Sequence, residues 1–192
     1  MENGLLKKRA GECSETIGLL ARDAAISSQA DTLAKRIIEC YNGGGKVILL
    51  GNGGSASQAL HIAAEFEGKY LKDRRALPAI ALGANQSTLT AIGNDYDFAH
   101  VFVRQLEAHA KKGDVVIALS TSGNSPNVVE AIKFAKAQGI FSATLTGKSK
   151  CKLDGLADIN VKVPSFETPR IQEAHLLILH TVCEMAESSM FP

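Results

Sequence analysis

The chain reads as an α/β protein: a doubly wound sheet of about five parallel strands, flanking helices and an N-terminal helical arm. Three observations predict this. Residues 46–50, 114–119 and 141–146 are short apolar runs rich in β-branched residues and leucine, the pattern of parallel strands buried on both faces. Segments with helical periodicity separate the runs, which is the βαβ arrangement. The first two runs end in glycine- or serine-rich turns that lead directly into helices. In open α/β sheets such turns lie where ligands bind, outside the strand C-termini.

Taken in order, residues 1–24 predict a helix. Leu6, Ala10, Cys13, Ile17, Leu20 and Ala24 form an a/d seam, suited to another subunit as well as to the chain's own core. A second helix over 29–42 stops at Asn42-Gly43-Gly44-Gly45. The first strand runs into Gly51-Asn52-Gly53-Gly54-Ser55, where glycines permit a tight turn and Ser55 is the expected cap of the next helix. On that helix His61 and Glu65, at i and i+4, share a face. Residues 68–75, with Lys69, Lys72, Arg74 and Arg75, read as a solvated basic loop, with contact to an anionic ligand as the alternative. A short strand is expected at 77–82, and helices at 87–92 and 98–110 split by Gly93-Asn94-Asp95. Strand 114–119 leads into Ser120-Thr121-Ser122-Gly123-Asn124-Ser125-Pro126 and a helix over 128–138. Strands at 141–146 and 159–163 and a last helix over 169–188 complete the pattern. No linker interrupts it, so residues 1–192 are expected to form a single domain, with 1–42 for packing and oligomerisation and 43–192 as the core.

With 192 residues and 45% apolar side chains, a globular domain with a real core is expected. A formal net charge of +1 gives no basis for nucleic-acid or membrane binding. No apolar run approaches a membrane span and no signal-peptide core is present, so a cytoplasmic protein is expected. Cys13, Cys40, Cys151 and Cys183 are scattered without a C-x-x-C pair, the pattern of reduced, mostly buried thiols.

The turn at 120–125 offers the hydroxyls of Ser120, Thr121, Ser122 and Ser125 at a strand C-terminus, with Ser125-Pro126 opening a helix. Hydroxyls, turn N–H groups and a helix dipole together favour a phosphate ester. There is no P-loop pattern, and Gly51-x-Gly53-x-x-Ala56 lacks the carboxylate that a dinucleotide site wants at the end of the next strand. His175 and His180 lie on an otherwise apolar helix, where a buried histidine needs a partner.

Gly51-Asn52-Gly53-Gly54-Ser55, His61-x-x-x-Glu65, Gly93-Asn94-Asp95, the 120–125 turn and Arg170-Ile171-Gln172-Glu173-x-His175 together resemble the phosphoheptose isomerases, of the sugar isomerase (SIS) fold. The resemblance spans essentially the whole chain and implies several roles. His61, Glu65, Gln172 and His180 match a zinc site, one Zn2+ per active site, and Glu65 and His180 match the acid/base residues. Asn52, Gly53, Gly54, Asn94, Asp95, Ser120, Thr121, Ser122, Ser125 and Gln172 match substrate contacts, with Ser55 and Glu65 beside them. It further implies a homotetramer with active sites between subunits, a cytoplasmic location, and conversion of sedoheptulose 7-phosphate to a heptose 7-phosphate for surface polysaccharide. Family members often carry an acid before the Arg of Arg-Ile-Gln-Glu; here Pro169 stands there and Glu167 is the nearest acid, so the site's edge is expected to be reshaped.

Gln172 and His180 on one helix are separated by roughly 12 Å along its axis, so one metal ion joins them within a subunit only if both side chains stretch along the helix; the separation agrees with a site shared between subunits without deciding it. Ketose–aldose conversion through an enediol needs a base beside the carbonyl and an acid on the other side; Glu65 is the expected base and His180 its counterpart. The alternative is a non-catalytic SIS module that binds a replication initiator or senses a sugar phosphate. Such initiator-associating proteins generally lack the Glu and second His kept here as Glu65 and His180.

Overall fold

The computed structural model describes residues 4–192. The start of the expected first helix, residues 1–3, lies outside them. Helix α1 spans Leu5–Leu20 and α2 spans Ala24–Asn42, so the arm breaks earlier than its periodicity predicts. Asp23 is the reason: its carboxylate accepts hydrogen bonds from the N–H groups of Ala25 and Ile26, capping α2 five residues before the expected start. Strand β1 (Val47–Gly51) leads to α3 (Gly54–Glu67), then β2 (Ala79–Ala81) and α4 (Gln86–Asp95). Gly93, Asn94 and Asp95 fall inside α4 rather than between helices; the break comes at Tyr96 and Asp97, before a 3-10 turn at Phe98–His100 and α5 (Val101–His109). Strand β3 (Val115–Leu119), α6 (Pro126–Ala137), β4 (Phe141–Thr146), β5 (Ile159–Lys162) and α7 (Thr168–Met190) follow.

The five strands are all parallel, in the order β2-β1-β3-β4-β5. Alternation along each strand divides the core between the two faces. Val47, Leu49, Ile117 and Leu119 pack with α2, α3 and α7, while Ile48, Leu50, Val116 and Ala118 pack with α5 and α6. The chain leaves β1 toward β2 and returns to place β3 on the other side, so β1 and β3 flank a topological switch point. Gly51 pairs with Leu119, which brings the glycine turn and the serine turn side by side at the C-terminal edge of the sheet. Among the described residues no helix is long and apolar enough to cross a membrane.

Candidate active site

The two turns form one cavity of about 260 Å³, lined by Asn52, Gly54, Ser55, Leu119, Ser120, Thr121, Ser122, Ser125, Thr168 and Gln172. Gly53 takes φ 55°, a left-handed value that favours glycine. A Cβ at Gly54 would lie 2.7 Å from the Gln172 side-chain amide nitrogen, so a side chain there would displace that amide. Helix α3 starts at Gly54, which makes Ser55 a buried first-turn residue instead of the expected cap. Ser125 precedes α6 as expected, but its hydroxyl makes no cap bond and lies 3.4 Å from the Ser120 hydroxyl. Asn52 and Asn127 exchange two amide hydrogen bonds of 2.9 Å each, fixing one turn to the other. The result is a cluster of hydroxyls at the N-termini of two helices, suited to a phosphate.

Helices α3 and α7 run side by side from this cavity. The Gln58 amide donates to the Gln172 carbonyl at 2.7 Å, and further along the seam His61 meets His180. Their Nε2 atoms are 2.9 Å apart, and Glu65 Oε1 is 3.4 Å from His61 Nε2. Ligand atoms of His61, Glu65 and His180 all lie within 4.8 Å of one another. A single chain therefore assembles these three. Burial, reinforced by the neighbouring His61, holds His180 below the ordinary histidine range against the opposing pull of Glu65. A neutral imidazole is the form that binds a metal or accepts a proton.

Other expected site residues are placed differently. Gln172 lines the hydroxyl-rich cavity and lies against Gly54, at the opposite end of the seam from His180. Asn94 and Asp95 are exposed at the end of α4, bonded to each other at 2.9 Å, and do not line the cavity. His175 is fully buried with Nε2 3.3 Å from the Thr146 carbonyl, and burial lowers it to about 4. Pro169 faces Arg9 and Glu12 of α1; Thr168 is the residue of that segment that reaches the hydroxyl-rich cavity.

The basic loop is the largest surprise. The Glu187 carboxylate accepts bonds from the N–H groups of Tyr70, Leu71 and Lys72 and from Arg74 Nε, at 2.7–3.0 Å. Arg74 and Glu187 are both almost wholly buried. Burial alone would raise Glu187, but the three N–H groups and the guanidinium outweigh it and hold it below the usual carboxylate range. Sequence offered one signal, an acid on the inward stripe of α7, but its partner lies 113 residues away. Asn127 was missed likewise, hidden in the first turn of α6.

Residues 19–147 match the SIS domain family. A phosphoheptose isomerase of Aliarcobacter butzleri is 50% identical over 157 residues, covering 82% of this chain and 83% of that protein. The chain belongs to the phosphoheptose isomerase family. Its membership makes it an isomerase enzyme. The fold agrees with phosphoheptose isomerase structures from two organisms. That from Francisella tularensis superposes with a TM-score of 0.89 at 32% identity, covering 95% of this chain and 96% of that one. That from Neisseria gonorrhoeae gives 0.86 at 38% identity, covering 96% and 99%.

Proposed function

We propose that this phosphoheptose isomerase family member converts sedoheptulose 7-phosphate to D-glycero-D-manno-heptose 7-phosphate, the first step toward nucleotide-activated heptose for surface polysaccharide. One observation carries the proposal: a hydroxyl-lined anion cavity and a His–Glu–His cluster occupy the two ends of one helix seam. Along α3, Gly54 and His61 are roughly 10 Å apart, a span suited to a phosphate at one end of an extended seven-carbon sugar and a carbonyl at the other.

In this reading Ser120, Thr121, Ser122, Ser125, Ser55 and the N–H groups of Gly53 and Gly54 hold the phosphate. Asn52 and Gln172 contact the sugar hydroxyls, with Asn94 and Asp95 supplying outer contacts. Glu65 removes the proton from the hydroxyl-bearing carbon beside the ketose carbonyl and returns it to the former carbonyl carbon. His180 accepts the proton of the adjacent hydroxyl and delivers it to the carbonyl oxygen, so the proton count balances across the enediol. The donors fit Zn2+, since two imidazole nitrogens and a carboxylate leave one position open. Bound there, zinc supplies Lewis acidity toward the substrate carbonyl. Gln172 of the same chain lies at the other end of the seam, so a fourth ligand from Gln172 would come from a neighbouring subunit.

We place the enzyme in the cytoplasm as a single-domain subunit of a homotetramer, with active sites at the interfaces. Exposed Leu5, Leu6 and Leu19 on α1 and Leu177 on α7 support packing against further copies. The test is incubation with sedoheptulose 7-phosphate as purified, after chelation and after added zinc, followed by proton NMR of the aldose anomeric signal. The expected result is turnover lost on chelation and restored by zinc. Turnover indifferent to chelation would remove the metal, and no turnover in any sample would remove the substrate assignment.

A further inference from the structure

His180 lacks the usual support of a catalytic histidine. Such an imidazole commonly bonds through its second ring nitrogen to a carboxylate or carbonyl, which fixes its tautomer and orientation. Among the described residues, the hydrogen bond of the His180 ring is the one to His61. What faces the ring instead is Tyr70, with centroids 5.7 Å apart and planes inclined by 31°. The His61 ring meets it edge-on, at 5.1 Å and 75°. His180 thus packs against two rings.

Tyr70 comes from a loop with no regular structure, so something must fix the loop. The Glu187 carboxylate does so, bonding the N–H groups of Tyr70, Leu71 and Lys72. Arg74 closes the arrangement. Its Nε bonds Glu187, and its remaining nitrogens bond the carbonyls of Glu65 and Phe66 at the end of α3, and those of Gly68 and Arg75. Carbonyls at a helix C-terminus have no intrahelical partners, and a guanidinium satisfies them and complements the dipole. One buried ion pair therefore ties together the α3 turn that bears Glu65, the loop that bears Tyr70 and the α7 segment beyond His180.

We propose that Tyr70 is a positioning residue that orients the His180 imidazole through its ring, and that the Glu187–Arg74 pair holds Tyr70 in place. The inference rests on the proposed role of His180 in the isomerase reaction. The aromatic face, not the phenol hydroxyl, does the orienting.

The test compares wild type with Tyr70→Leu and Tyr70→Phe, both checked for native folding by circular dichroism. Imidazole C–H resonances of 13C-histidine-labelled, metal-free protein report the His180 ring without substrate or metal. Sedoheptulose 7-phosphate turnover is measured alongside. Tyr70→Leu should shift and broaden the His180 signals while leaving distant His100 and His109 unmoved. It should lower kcat by roughly 10–100-fold with little change in KM. Tyr70→Phe should restore both readouts. Unmoved His180 signals in Tyr70→Leu, or equal loss in Tyr70→Phe, would overturn the proposal. Shifted signals in Tyr70→Leu with a wild type that does not turn over would retain the positioning role and overturn the reaction assignment instead.

Discussion

His175 and His180 lie on the same helix and meet different surroundings. His175 is enclosed by the core and held neutral to about 4, whereas His180 reaches the α3 seam beside His61 and Glu65. The unfolded chain protonates His175 near the ordinary value of 6.5 while the folded chain resists until about 4. The unfolded state therefore binds more protons in that window, and stability falls as pH drops through it. A pH series of urea midpoints should show this fall, and His175→Gln should flatten it. At Glu65 and His180, the substitutions Glu65→Gln and His180→Ala should each lower turnover by roughly 10²–10⁴-fold while inorganic phosphate binding, read by calorimetry, is kept. Both histidines stand on an apolar stripe in the sequence, and periodicity cannot show which one meets a neighbouring helix. Burial pushes the Cys40 thiol up to about 11 and that of Cys183 up to about 12. A thiol reagent on native protein should label Cys13 and Cys151, which are half-buried, and spare the other two.

At the scale of elements, the strands and their turns were legible because short apolar runs bounded by glycine and serine admit few alternatives. The serine turn at 120–125 was legible for the same reason. The loop at 68–75 was not. A run of Lys and Arg reads as solvated, and only the tertiary fold brings Glu187 beneath it. The α1–α2 break turned on a single cap, Asp23, within a periodicity that would have carried a helix through. Glu187→Ala leaves Arg74 buried without its counter-charge, and should destabilise the fold by about 3–5 kcal/mol in denaturant titrations. That change acts on the clamp as a whole. Tyr70→Leu, in contrast, should leave global stability far less affected.

For the whole molecule, the parallel order β2-β1-β3-β4-β5 sets the site at the β1/β3 switch point, and the seam of α3 and α7 extends it. The central strand supports everything above it: Ile117 is wholly buried, and Ile117→Ala should cost about 2–5 kcal/mol. The arm at 1–42 could be read from sequence as helical, but its exposed leucines gain meaning only beside the folded core. The central claim is that one seam joins phosphate capture to proton transfer by Glu65. Its most direct test follows sedoheptulose 7-phosphate by proton NMR in D2O with wild type and Glu65→Gln at equal zinc loading. The account predicts an aldose carrying deuterium at C2 from wild type and none from the variant. Aldose formed by Glu65→Gln at the wild-type rate would contradict it.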